Sequence, residues 1–363
     1  MKNKKRFHAI ALALLFLIAN VSYAWPPAKK FELTKDGVIV YPDSLFSGGT
    51  KAVRLQVISD KIMRITASAD RRIPEVNSLI TVYKDLKKKY TVSGVEGKVI
   101  IKTPSIIATV LTSTGAVSFT DAAGKSILME RQHNGRSITP AVYAGESSFN
   151  LSQTFLTAPG EAYYGLGQHQ GDQFNYKDQQ VLLFQNNTEV AVPFLLSSKN
   201  YGILWDNYSV TKMGDARNFM PLSTLKLFSK NGDEGWLTAA YNNDKNKPDE
   251  VSFTKAGSQI DYQYLGDSKK DLPADFNPQN GEVTWEGSIA SGFSGMHKFR
   301  IIYAGYMKIW IDGKMLADRW RQAWNPGSAL LNVSLQKDKK YAIKIQWIPD
   351  GTESYLDVKW LQP

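Results

Sequence analysis

The sequence predicts an all-β protein built as two β-sandwich domains behind an export signal. Three observations carry this reading. Short runs alternate apolar and polar residues with period two, turn-forming residues separate them, and no segment sustains a 3.6-residue apolar pattern over helical length.

Residues 1–24 form the export signal. They open with Lys2, Lys4, Lys5 and Arg6, continue in an apolar run over residues 9–19, and end on Ser22-Tyr23-Ala24, which supplies small residues for a signal peptidase. The run is shorter than the roughly 20 apolar residues a spanning helix needs. Cleavage therefore leaves no stable membrane anchor, and the product is expected in the periplasm or outside the cell. These residues hold four of the 44 Lys and Arg and none of the 34 Asp and Glu, so removing them lowers the net charge of +10 by four. The remaining basic residues are scattered apart from Lys87-Lys88-Lys89 and Lys337 to Lys340, which read as solvated turns, and nucleic-acid binding is not expected.

The first domain is expected over residues 25–229. Its early strands are Arg54-Leu55-Gln56-Val57, Lys61-Ile62-Met63-Arg64-Ile65-Thr66 and Lys98-Val99-Ile100-Ile101-Lys102, in which one side chain in two faces a core. Asp36-Gly37, Gly48-Gly49, Ser59-Asp60, Gly94, Gly97 and Gly124 punctuate them with residues that accept positive φ or bond their own backbone.

The second domain is expected over residues 230–363, with the boundary near Asn231-Gly232. Two polar, loop-like segments, 242–249 and 271–281, interrupt its early part. Tyr306-Met307-Lys308-Ile309-Trp310-Ile311 then alternates into Asp312-Gly313, a strong hairpin turn because both residues tolerate positive φ. Alternation resumes from Lys340 to Trp347 and from Leu356 to Trp360.

Composition removes several chemistries. The chain has no cysteine, so disulfides, thiolate-bound metals, a cysteine nucleophile and a lipidated cysteine are excluded. After the signal, the histidines are His133, His169 and His297, dispersed, with no His-Glu-x-x-His run and no Gly-x-Ser-x-Gly elbow. Nothing demands a cofactor. Glycoside hydrolysis uses two facing carboxylates, and no such pair identifies itself here. Asp312 in Trp310-Ile311-Asp312 is explained by the hairpin.

The most informative stretch comprises Tyr163-Tyr164-Gly165-Leu166-Gly167-Gln168, then Gln185-Asn186-Asn187-Thr188 with Val192-Pro193-Phe194, then Tyr201-Gly202-Ile203-Leu204-Trp205-Asp206-Asn207. Glycines inside an apolar strand allow another backbone to approach, and clustered side-chain amides offer donors and acceptors to sugar hydroxyls. Polar turn chemistry explains Asn186-Asn187 equally well.

These blocks, in this order, resemble the amino-terminal β-sandwich of family 31 glycoside hydrolases, over roughly residues 30–229. Gln168, where many members have Glu, tilts the resemblance toward xyloglucan-active α-xylosidases. Trp310 to Lys314 with Trp320 resemble the protective-antigen-type β-sandwich, and its closing strands fit Tyr341 to Trp347 and Tyr355 to Trp360.

The resemblance implies a galactose-mutarotase-like sandwich followed by an inserted carbohydrate-binding sandwich. It further implies a xyloglucan-type oligosaccharide or polysaccharide as partner and catalytic aspartates on a (β/α)₈ barrel. A barrel takes about 250 residues, and no strand-helix alternation supplies one here, so the chain alone is expected not to hydrolyse glycosides. Gln185, Asn186, Asn187 and Thr188 are expected at the mouth of the parent's barrel. In the second domain Arg321, Trp324 and Asn325 are expected to contact sugar, the indole stacking on a pyranose face while Arg and Asn bond hydroxyls. Packing of Trp324 on the sandwich edge is the competing reading of that residue. A free-standing carbohydrate-binding protein or adhesin, or a functionally silent product, are the competing readings of the chain.

Overall fold

A computed structural model describes residues 30–363 except 76, 83–87, 170–172, 186–188, 216, 263–271 and 350–353. The signal segment and Asn186, Asn187 and Thr188 lie outside the described residues. Every strand pairing among those described is antiparallel, and one 3₁₀ turn, Leu222–Thr224, is the helical structure. The all-β class expected from the alternating runs is what forms. Contacts group the chain into two units, residues 1–161 and 162–363.

The first unit contains β1 (Phe31–Thr34), β2 (Gly37–Val40), β3 (Ala52–Ser59) and β4 (Ile62–Ser68), paired in that order. A second sheet runs through β5 (Thr91–Val95), β6 (Lys98–Lys102), β7 (Ile106–Leu111), β8 (Val117–Asp121) and β9 (Ser126–Glu130). A separate ribbon, β10 (Arg136–Tyr143) with β11 (Glu146–Gln153), precedes β12 (Phe155–Leu156), which pairs with β9. Period-two alternation points Val53, Leu55 and Val57 of β3 into the same core as Val99 and Ile101 of β6 and Ala108 and Val110 of β7. Two sheets sharing one apolar layer make a sandwich.

The Arg136–Glu130 ion pair is buried in this unit. Arg136 Nη2 donates to Glu130 Oε2 at 2.6 Å, Arg136 Nε donates to Gln153 Oε1 at 2.7 Å, and the Val117 amide donates to the same Glu130 oxygen at 2.9 Å. Burial pushes the Glu130 carboxyl above its ordinary range, and these partners oppose that shift.

The second unit begins with β13 (Tyr163–Gln168), β14 (Gln180–Leu183), β15 (Val190–Ser197), β16 (Tyr201–Leu204) and β17 (Thr211–Gly214). β13, β15 and β16 form one small sheet, β14 and β17 another, and Leu166, Val181 and Leu183 bury together.

A large sandwich follows. Its strands are β18 (Met220–Pro221), β19 (Lys226–Ser229), β20 (Leu237–Asn242), β21 (Phe253–Gly257), β22 (Asp261–Tyr262), β23 (Glu282–Ala290), β24 (Gly295–Tyr303), β25 (Gly305–Ile311), β26 (Lys314–Arg321), β27 (Gly327–Leu335), β28 (Tyr341–Ile348) and β29 (Leu356–Leu361). The five-stranded sheet orders β18, β29, β24 and β27, with β22 also on β29. The seven-stranded sheet orders β21, β20, β23, β28, β25 and β26, with β19 also on β23. Because β18 and β19 pair with β29 and β23, the sandwich recruits strands from before the Asn231-Gly232 turn. The chain crosses from sheet to sheet without regard to the composition change that marks the turn.

Alternate residues of both sheets fill one core. Trp285, Ile309, Ile345 and Trp347 come from the larger sheet, and Phe299, Ile301, Val358 and Trp360 from the smaller. Each fully buried large side chain contributes about 1.5–3 kcal/mol relative to exposure. Two of the three core indoles have partners: Trp347 Nε1 donates to the Ala304 carbonyl at 2.8 Å and Trp360 Nε1 to Thr224 Oγ1 at 2.7 Å, whereas Trp285 Nε1 is buried without one. His297 is buried against Trp360, with its ring nitrogens on Ser291 Oγ and the Gly295 carbonyl, so it is a core residue.

Candidate carbohydrate-binding surfaces

The glycines of the Tyr163–Gln168 strand do what their position in an apolar run suggests. Gly165 and Gly167 have φ of +93° and +102°, and a Cβ at Gly167 would lie 1.8 Å from the Val190 carbonyl oxygen. Between them the register of β13 against β15 jumps, and Leu166 takes φ of +65° while burying its side chain. The irregularity carries Gln168 to the solvent side, opposite Val190.

Past the irregularity, His169 ties the strand to the loop between β14 and β15. Its Nε2 lies 2.8 Å from the Leu166 carbonyl oxygen and its Nδ1 lies 3.6 Å from a Glu189 carboxylate oxygen. Gln185 closes the same loop from the other end, donating from Nε2 to the Glu189 carbonyl at 2.5 Å and accepting the Ala191 amide at Oε1 at 3.2 Å. Gln185 is thus tied to the backbone of Glu189 and Ala191, while Asn186, Asn187 and Thr188 lie outside the described residues. The meeting of His169 with Glu189 is not legible in the sequence, since it depends on the β13–β15 register.

One face of β15 is apolar and open to solvent. Val190, Val192, Phe194 and Leu196 alternate along it, and Leu204 of β16 pairs with Phe194.

The second candidate surface is the turn between β26 and β27. The Asn325 amide donates to the Gln322 carbonyl at 3.2 Å, and Arg321 Nε donates to the Asn325 carbonyl at 3.2 Å, so the guanidinium holds the loop that presents Trp324. Trp324 is 70% exposed, which removes packing on the sandwich edge as its role. Arg321, Trp324 and Asn325 are therefore brought together on one short loop. An exposed indole beside polar groups can cover an apolar sugar face while the neighbours bond its hydroxyls.

Asp312 is a turn residue. Asp312 and Gly313 have φ of +46° and +74°, and the Asp312 carboxylate accepts the Ala342 amide at 2.8 Å. It caps the neighbouring strand β28.

Two family models match the chain, and the first extends across the boundary between the two units. Residues 52–213 match the model of the glycosyl hydrolase 31 N-terminal galactose mutarotase-like domain, and residues 232–363 match the PA14 domain. An α-xylosidase of Saccharolobus solfataricus is 32% identical over 181 residues, covering 47% of this chain and 24% of the relative. An uncharacterized family 31 glucosidase of Pseudescherichia vulneris is 36% identical over 70 residues, covering 19% of this chain and 13% of the relative. The crystal structure of the family 31 α-xylosidase of Xanthomonas citri superposes with a TM-score of 0.78 at 36% identity, covering 92% of this chain and 36% of that one. The chain thus spans about a quarter to a third of these α-xylosidases. Residues 52–213 thus resemble a family 31 amino-terminal domain and residues 232–363 a PA14 domain, and the chain as a whole is similar to α-xylosidases.

Proposed function

We propose that this chain is the carbohydrate-binding, amino-terminal portion of an exported family 31 glycosidase of α-xylosidase type, acting on xyloglucan-type oligosaccharides. The observation that carries the reading is the similarity to the X. citri α-xylosidase, which covers 92% of the chain and so includes both β domains in the same order. The open apolar face of β15 supports it as well, because contiguous exposed apolar rows are usually covered by further protein.

In this reading the parent enzyme hydrolyses O-glycosyl bonds with carboxylates that this chain does not contribute. The role of the chain is to hold sugar. The loop braced by Gln185 shapes the substrate site of the parent, and Arg321, Trp324 and Asn325 grip residues of the oligosaccharide farther from the scissile bond. Xyloglucan as the sugar rests on Gln168 and on the α-xylosidase relatives.

Calorimetric titration of the purified chain with xyloglucan oligosaccharides tests the proposal. Saturable binding without release of xylose is the expected result. No detectable binding at millimolar oligosaccharide would reject the carbohydrate-binding role, and xylose release would reject the assignment of catalysis to sequence outside the chain.

A further inference from the structure

A pair of aromatic side chains lies outside both surfaces described above. Tyr306 of β25 and Trp320 of β26 are cross-strand partners, 52% and 50% exposed, with ring centroids 6.1 Å apart and planes inclined at 45°. They sit on the outward face of the seven-stranded sheet, since the alternate residues Met307, Ile309 and Ile311 of β25 fill the core.

The pairing is produced by a bulge. The Asp312-Gly313 turn sets Ile311 opposite Lys314 and Trp310 opposite Met315, but Ile309 then faces Ala317, so Leu316 is an extra residue in β26. Without it Tyr306 would face Arg319 and Trp320 would face Gly305. Bulges re-aim side chains at sheet edges, and β26 is an edge strand.

The surroundings specify what the pair can bind. Lys308 and Asp318, the next partners along the face, neutralise each other at 3.3 Å. Lys344 lies over the next aromatic, Trp310, at 5.6 Å and pairs with Glu286 at 3.3 Å. Glu286 also pairs with Lys230 at 2.7 Å, so the charge farther along is net positive, but the charges directly beside the two open rings, Lys308 and Asp318, compensate each other and leave a small apolar strip. That strip suits an uncharged ligand with an apolar face and hydroxyls at its edge, which is a sugar ring. Tyr306 and Trp320 also lie at the end of the β25–β26 hairpin from which the Trp324 loop departs, because Trp320 directly precedes Arg321.

We propose that Tyr306 and Trp320 form a second sugar-stacking platform, which extends the Trp324 loop site so that the protein grips an extended oligosaccharide at two points. The inference rests on the carbohydrate-binding role proposed above and adds a length preference to it. Two linked contacts raise affinity through effective concentration only for a ligand long enough to span both.

The test titrates the full chain with xyloglucan oligosaccharides of one and of two repeating units, following heat and tryptophan fluorescence. Wild type is expected to bind the longer ligand at least tenfold more tightly. The double variant Tyr306→Ala/Trp320→Ala is expected to lose that preference while keeping its affinity for the shorter ligand and its unfolding midpoint. Tyr306→Phe/Trp320→Phe, which keeps an aromatic ring at each position, is expected to retain it. A merely structural cross-strand pair would shift the midpoint and leave the preference alone, and that result would overturn the platform while the carbohydrate-binding role stood. Absence of binding by wild type would overturn both.

Discussion

The side-chain amide of Gln185 spans the loop between β14 and β15, reaching the Glu189 carbonyl at 2.5 Å and the Ala191 amide at 3.2 Å. Gln185→Ala is expected to cost about 1–2 kcal/mol locally, since each such bond contributes about 0.5–1.5 kcal/mol. Faster hydrogen exchange at Ala191, with unchanged exchange in the β20–β29 sandwich, is the expected signature.

Glu130 and Arg136 form a buried ion pair in the first unit at 2.6 Å. Arg136→Met is expected to destabilise by about 3–5 kcal/mol, because it leaves a buried carboxylate uncompensated. Glu130→Gln added to it should recover much of the loss in urea unfolding. The deficit of the single variant should also shrink as the pH falls, because burial already favours protonated Glu130. A double variant as unstable as the single one would contradict this account.

Asp215 accepts from Arg217 Nη2 at 2.7 Å, and that guanidinium also reaches the carbonyl oxygens of Gln362 and Pro363. Chiefly through this hydrogen bond, the Asp215 carboxyl is held down at about 2. A depressed carboxylate stabilises the fold fully above its unfolded value of about 3.9, and the contribution is lost as pH falls through the folded value. Asp215→Asn should therefore lower stability by about 1 kcal/mol at pH 7, discounted for solvent screening. The gap to wild type should close between about pH 4 and 2 in urea titrations, and a gap independent of pH would contradict the assignment.

Gly167 combines positive φ with a Cβ position 1.8 Å from the Val190 carbonyl oxygen, whereas Gly97, also at positive φ, faces open space. Gly97→Ala should cost about 1–2 kcal/mol from backbone conformation alone, and Gly167→Ala more. Equal thermal shifts for the two variants would show that β13 does not need the close approach.

Much of this architecture was legible in the sequence because period-two alternation is a local property. The strand read as Lys98 to Lys102 is β6, and Asp312-Gly313 is the turn of the β25–β26 hairpin. The blocks around Gly165, Phe194 and Tyr201 lie on strands of one small sheet. Trp324 was legible as a candidate, although its exposure was not, since the same indole could have packed inward. The pairing of Tyr306 with Trp320 is not legible in the sequence because it depends on the extra residue Leu316, and a bulge leaves no mark in an alternating pattern. The same holds for His169 with Glu189, which meet across an irregular register.

The most direct test of the central claim compares the chain with its Trp324→Ala variant in calorimetric titrations with xyloglucan oligosaccharides. A loss of affinity of about tenfold, equivalent to about 1.4 kcal/mol, with an unchanged unfolding midpoint is the predicted result. Equal affinity of the two proteins, or no binding by either, would contradict it.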